Sequence, residues 1–215
     1  MDKEERVKLT VALANDLMHA LIISCGQHAG YDLDAETIDA ILDESWDSPQ
    51  VMPRFYVNDF RKAWGMILET AEDDIDIFTE ACIMNKVVTE HTSKNGGLVR
   101  TEPYKFEGQS YTPPIPAIVS VRDKLDDILA IEDPIDRGLS LFLFIIRLQL
   151  FDVGNLETAF IMANKILIGS GMGVLVVPVT KWSALKYELN YFIGTGYDKE
   201  VKARLLKDSF FQIKE

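Results

Sequence analysis

The chain has 215 residues, of which 47% are hydrophobic and 26% are charged, and this composition predicts one globular unit with a buried core. Its 34 acidic residues outnumber its 22 basic ones and give a net charge of -12. That charge opposes binding to nucleic acids and to anionic membranes, because both bind through Lys and Arg. Cys25 and Cys82 are too few for a disulfide scaffold and lack the spacing of a zinc site, so we expect reduced thiols.

The sequence indicates neither a secreted protein nor a membrane protein. The N-terminus, MDKEERVKLT, lacks the basic start, apolar core and cleavage site of a secretory signal. The most apolar run, residues 139–151, is too short to span a bilayer and contains Arg147 and Gln149. We therefore expect a cytoplasmic protein without a membrane or nucleic-acid partner.

Hydrophobic periodicity predicts helices along most of the chain. They cover residues 4–25, 35–44, 54–71, 75–90, 117–131, 156–170, 181–192 and 198–211. Pro134 opens a further, apolar helix. Between residues 93 and 114, turn formers surround two short extended runs, which predicts a small β-hairpin over residues 97–111. The predicted fold class is all-α with this one small β-hairpin.

The glycines of GSGMG, residues 169–173, have the spacing of a dinucleotide-binding loop but the wrong position. They follow a helix, whereas the glycines of a dinucleotide-binding loop follow a strand and open a helix. We therefore interpret them as a helix C-cap and turn.

The loop QLFDVGNLE, residues 149–157, lies between two predicted helices, where Asn155 is placed to cap the second helix and Glu157 lies in its first turn. It resembles the signature of the Fic family, HPFx[D/E]GNGR, and matches it at Phe151, Gly154 and Asn155. The similarity continues outside the loop, at Pro134, Ala163, Asn164, Leu167 and Gly171, and in GGLVRTEPYKFEGQSYTPP, which resembles the Fic flap segment. It covers residues 96–178.

The resemblance implies a fold, an organisation and an ancestral activity. Residues 1–95 would form an N-terminal helical region, residues 96–178 a Fic-like core, and residues 179–215 C-terminal helices of the same domain. Fic proteins typically transfer AMP from ATP to a hydroxyl of a target protein that docks on the flap. The flap residues of this chain that would dock such a partner are Leu98, Val99, Arg100, Thr101, Tyr104, Lys105 and Phe106.

The loop departs from the family signature at the positions that carry its chemistry. Gln149 stands at the position of the catalytic histidine, and an amide cannot take up a proton near neutral pH. Val153 stands at the position of the acid that binds Mg²⁺ and offers the ion no oxygen, although the neighbouring Asp152 has one. The sequence therefore predicts no catalytic residue, no metal site and no cofactor.

The phosphate-binding positions of the signature are also changed. Leu156 replaces its second glycine, and Glu157 and Phe160 replace two arginines. Replacing Arg with Glu changes the local charge by two units, and each unit about 4 Å from a phosphate is worth about 4 kcal/mol at an effective dielectric near 20. Even when it is heavily screened, that penalty rivals the whole binding free energy of a millimolar ligand, about 4 kcal/mol.

Three functional hypotheses remain open from the sequence. The leading one is a Fic-fold pseudoenzyme that lacks protein adenylyltransferase (AMPylation) activity and acts as a binding or regulatory protein. An alternative is a Fic-type transferase of altered specificity for a phosphate-containing or neutral small molecule, with a pocket lined by Val153, Leu156 and Phe160. In the third, the resemblance extends to the fold alone, and the N-terminal helices form the functional surface, for example in a homo-oligomer.

Overall fold

A computed structural model describes residues 1–73 and 76–213. In these residues the chain forms nine α-helices, one short 3₁₀ turn at Val179–Lys181 and one pair of two-residue strands. The helices are α1 (Lys3–His28), α2 (Ala35–Leu42), α3 (Val51–Glu69), α4 (Ile77–Val88), α5 (Ile118–Leu129), α6 (Pro134–Leu148), α7 (Asn155–Gly169), α8 (Trp182–Thr195) and α9 (Lys199–Asp208); the strands are β1 (Val174–Leu175) and β2 (Phe210–Phe211). The predicted all-α fold with a small β element is confirmed.

Helix α7 is the centre of the molecule and is buried along most of its length. Its residues are buried on all sides, which is typical of a helix enclosed by other elements, and it packs against α1, α3, α4, α6 and β1. The approach of α6 is close at Gly138, where an added Cβ would lie 2.9 Å from the Leu167 side chain. The rings of Phe142 on α6 and Phe160 on α7 lie 4.8 Å apart.

Two polar residues on α7 fix its neighbours. The amide of Asn164 donates to the carbonyl of Leu175 over 2.9 Å and accepts from its N–H over 2.7 Å, which holds β1 against the helix. The ammonium of Lys165 lies 2.8 Å from the carboxylate of Glu80 on α4, and both side chains are almost fully buried. Loss of one partner would leave an uncompensated buried charge.

The strands lie at a different place from the predicted hairpin. β1 pairs antiparallel with β2, so that Val174 faces Phe211 across the ladder. Residues 97–111 form no hairpin; their one bridge joins Val99 to Phe151 in the loop between α6 and α7. The turn-forming residues of this segment do lie in turns, and Gly108 has φ +71°. Its extended residues, however, bond to the loop between α6 and α7, where the N–H of Arg100 donates to the carbonyl of Leu150.

The bounds of the helices agree with the predictions to within a few residues. The fourth helix was predicted from residue 75, which lies outside the described residues, and the structure begins α4 at Ile77 after the N-cap Asp76. Pro134 occupies the first turn of α6 as predicted. The GSGMG segment is the predicted helix C-cap and turn, with Gly171 at φ +64° after α7.

Helix α1 is long and apolar enough to cross a membrane by length and composition, with a mean hydropathy of 1.4 over an 18-residue window. The sequence predicted a helix over residues 4–25 but no membrane span there. A core helix of a soluble protein meets the same criterion, and α1 places Ala14, Leu21, Ile22 and Cys25 in the hydrophobic core. That core is continuous from α1 to Leu205 on α9.

Candidate functional site

The loop between α6 and α7 is a compact structure with two residues in the left-handed conformation. Gln149 follows the last residue of α6 at φ +51°, and Gly154 precedes the first residue of α7 at φ +73°. A side chain at the second position would be both strained and crowded, because an added Cβ would lie 2.5 Å from Cγ2 of Thr89, the C-cap of α4. The glycine is therefore required by the packing of the loop against α4.

Asn155 clamps the loop from within. Its side-chain oxygen accepts from the N–H of Phe151 over 2.9 Å, and its amide nitrogen donates to the carbonyl of the same residue over 2.8 Å. The predicted role of Asn155 as the N-cap is wrong: Gly154 is the N-cap, and Asn155 is the first helical residue. Its amide reaches back along the chain because both backbone groups of the buried Phe151 need partners.

The side chain of Gln149 is engaged at both ends. Its nitrogen donates to the carbonyl of Ile146 over 2.8 Å, and its oxygen accepts from Asn155 over 3.2 Å. The backbone carbonyl of Gln149 accepts from Nε of Arg100 over 2.9 Å. At this position, therefore, the protein has an amide that serves the structure of the loop.

Asn85 on α4 ties the loop to the segment that precedes residues 98–106. Its amide nitrogen donates to the carbonyl of Val153 over 2.9 Å and to the hydroxyl of Thr158 over 3.1 Å. Its oxygen accepts from the N–H of Gly97 over 2.9 Å. Asn85 was not among the predicted site residues, although an asparagine in an apolar helix was the available signal.

Glu157 lies in the first turn of α7, as predicted, but its side chain is buried. Its carboxyl accepts a hydrogen bond from the hydroxyl of Tyr56 on α3 over 3.1 Å. Burial raises the pKa of Glu157, although the bond from Tyr56 and its own backbone N–H act in the opposite direction. The acidic residue in the first turn of α7 is therefore a buried carboxyl whose ionisation is disfavoured.

A cavity of about 470 Å³ adjoins this loop. It is lined by Gln149 and residues 152–157, by Tyr104 and Phe106, and by His28, Lys186 and Asn190, which were not among the predicted site residues. No local signal links the end of α1 or the middle of α8 to the loop, because only the tertiary fold brings them together.

Phe160, predicted to line this pocket, does not. Its ring is fully buried in the core, 4.8 Å from the ring of Phe142 and 6.2 Å from that of Trp182. One further turn along α7 carries the side chain away from the loop and into the interior. The cavity is lined instead by Val153 and Leu156, as predicted.

The predicted docking segment divides into a buried anchor, cavity-lining rings and an exposed part. Arg100 is buried, and its guanidinium donates to four backbone carbonyls, those of Glu102, Pro114, Leu148 and Gln149. Burial lowers its pKa. Arg100 is thus a structural anchor that satisfies the end of α6, which corrects its predicted role in docking. Leu98, Thr101 and Lys105 are exposed, whereas Val99 is half-buried in its bridge to Phe151.

No family model matches the chain, and no curated protein matches it. Solved structures do match. Fic-1 from C. elegans is 17% identical at a TM-score of 0.72, and the match covers 95% of this chain and 68% of that one. A Fic domain containing signaling protein from Bacteroides thetaiotaomicron is 15% identical at a TM-score of 0.70, over 87% of this chain and 75% of that one.

A Fic family protein from Desulfovibrio desulfuricans is 13% identical at a TM-score of 0.65, and the match covers 92% of this chain and 64% of that one. The chain has a Fic fold. At these identities the likeness extends to the fold alone. The QLFDVGNLE loop, which resembles the Fic signature, therefore lies in a chain that has the Fic fold.

A magnesium nucleotide, which the Fic fold implies, does not fit the residues around the loop. The side chain of Val153 has no oxygen, and its backbone carbonyl is bonded to Asn85. The carboxylate of Asp152 lies in the cavity wall and accepts from the amide of Asn95 over 3.3 Å. In the parts of the chain that the structure describes, no group of three or more His, Cys, Asp or Glu side chains could hold a metal ion.

Proposed function

We propose that this Fic-fold protein is a pseudoenzyme that does not transfer AMP by the family's mechanism and acts as a binding or regulatory protein. The proposal rests on the side chain of Gln149, on its hydrogen bonds and on its lack of a base. Its amide is bonded to Ile146 and Asn155, and it has no basic nitrogen that could accept a proton from an attacking hydroxyl. The buried carboxyl of Glu157 supports the proposal, because a phosphate would gain no cation there.

A second candidate function is favoured by two cavity-lining residues. His28 stacks on Trp182 with its ring centroid 4.5 Å away, and partial burial, together with Lys186, lowers its pKa. A neutral imidazole can accept a proton, and Lys186 is a cation beside it. A Fic-type transferase of altered specificity would use these two groups in place of the motif residues.

Two experiments test these functions. Purified protein is incubated with labelled ATP, Mg²⁺ and a cell lysate, and parallel reactions contain Gln149→Ala and His28→Gln. We expect no label transfer above the reaction without protein. Transfer that disappears in either Gln149→Ala or His28→Gln would overturn the proposal. A thermal-shift panel of nucleotides and metabolites tests the second function, which requires a ligand that stabilises the wild type but not His28→Gln.

The binding role is proposed to run through the exposed part of the segment at residues 98–106. Leu98 is 62% exposed, and the bridge from Val99 to Phe151 occupies one edge of the extended backbone. The other edge can accept an extended peptide by strand addition. A pull-down with Leu98→Asp should lose a partner that Leu9→Asp, a change at an exposed leucine of α1, retains. Identical partners for both variants would contradict this role.

A further inference from the structure

A second cavity, of about 610 Å³, lies between α5, α6 and the end of α8, and none of its lining residues lines the cavity at the loop. Its size is within the range of small-molecule sites. Apolar side chains form most of its wall: Ile128, Ile131, Leu143, Phe144, Leu148 and Phe192. Such a wall would hold a hydrocarbon body.

Arg147 is the fixed cation in this wall. Its Nε donates to the carbonyl of Ile193 over 3.1 Å, and its guanidinium lies 4.0 Å from the ring centroid of Tyr111. Within residues 1–73 and 76–213, its two terminal nitrogens have no hydrogen-bond acceptor and no carboxylate partner. A guanidinium held in place with both terminal nitrogens free is preorganised for a bidentate acceptor.

The other charges of the wall are paired, which decides the sign of the ligand. The carboxylate of Asp127 lies 3.4 Å from the ammonium of Lys124, and that of Asp198 lies 2.7 Å from the ammonium of Lys202, which also contacts Asp136. Arg147 alone among these groups is left without a counter-charge. The wall therefore favours an anion at Arg147.

We propose that this cavity binds a small apolar carboxylic acid, with its carboxylate paired to Arg147 and its hydrocarbon body against α5, α6 and Phe192. The planar fork of a guanidinium matches the geometry of a carboxylate. A single unpaired cation balances one negative charge, whereas a phosphate carries up to two and would require another cation. The site is separate from the loop cavity, so it holds whether or not the proposed function does.

Titration calorimetry with octanoate, and with octan-1-ol as the uncharged probe of the same length, tests the proposal. We expect octanoate to bind the wild-type protein at least about tenfold more tightly than octan-1-ol, because charge-assisted hydrogen bonds are stronger than neutral ones. Arg147→Gln should weaken octanoate by about tenfold or more. Lys186→Gln removes a cation from the loop cavity instead and should leave the affinity unchanged.

A second variant protects the test against misfolding of Arg147→Gln. Ile131→Trp keeps the guanidinium and fills the cavity from its half-buried edge, so it should weaken both probes. The proposal is overturned if octanoate does not bind, if octan-1-ol binds equally well, or if Ile131→Trp binds octanoate as the wild type does. Loss of octanoate binding in Lys186→Gln would assign the ligand to the loop cavity and would also overturn it.

Discussion

Replacing Gly154 with alanine tests whether packing against α4 fixes the loop between α6 and α7. The residue has φ +73°, where a Cβ costs about 1–2 kcal/mol, and lower entropy of the unfolded chain returns about 0.4–1 kcal/mol. The new Cβ would also lie 2.5 Å from Cγ2 of Thr89 and 3.1 Å from the amide nitrogen of Asn85. Overpacking of this kind costs about 1–3 kcal/mol, so the expected total is about 1–5 kcal/mol.

Gly108→Ala is the matched control, because Gly108 has φ +71° and no atom within 4 Å of an added Cβ. It should cost no more than about 1.5 kcal/mol by the same conformational terms. Urea unfolding followed by far-UV circular dichroism at pH 7 gives both free energies of unfolding.

The double variant Gly154→Ala/Thr89→Ser identifies the clash. Thr89→Ser removes the crowding methyl group and keeps the hydroxyl, which donates to the carbonyl of Asn85 over 2.7 Å. The cycle should show a favourable coupling of about 0.5–3 kcal/mol between the two changes. The packing argument fails if Gly154→Ala costs no more than Gly108→Ala, or if the serine gives no rescue.

Three further predictions concern the same region. Asn155→Ala should lower the free energy of unfolding by about 2–5 kcal/mol, because it leaves the buried N–H and carbonyl of Phe151 without partners, and urea unfolding measures the loss. Since burial raises the pKa of Glu157, the wild type should lose stability relative to Glu157→Gln as pH rises from about 4.5 to the pKa of the folded state. Parallel thermal melts of both proteins at several pH values measure this loss, and a gain of stability over that range would contradict the prediction. Arg100→Lys should cost about 2–4 kcal/mol, because one ammonium cannot span four carbonyls, and an unchanged melting temperature would contradict the anchoring role.

The helical framework was predictable because its signals are local. Apolar residues recur at helical spacing, Pro134 marks the start of α6, and Gly171 marks the end of α7. The strand pair escaped prediction because each strand has only two residues, and the paired residues lie 35 and 37 residues apart in the chain. Turn formers at residues 97–111 indicated a local hairpin, but the extended residues there pair with the distant loop.

The loop itself was found from the sequence, whereas its surroundings were not. Tyr56 is 101 residues from Glu157 in the chain, and no pattern near either residue indicates that they share a hydrogen bond. Similarly, His28 and Lys186 reach the loop cavity only because α1 and α8 pack beside α7. Sequence periodicity identifies which face of a helix is buried but not which distant side chain covers it.

The loop residues that match the Fic signature are those that hold the backbone together. Phe151 fills the interior, Gly154 permits the close approach of α4, and Asn155 secures the turn. Four of the positions that differ, Gln149, Val153, Leu156 and Glu157, border the cavity, whereas the changed positions Leu150 and Phe160 are buried in the core. The turn therefore depends on its matched residues, and its backbone can be kept while side chains at the cavity wall, such as Val153 and Leu156, are exchanged.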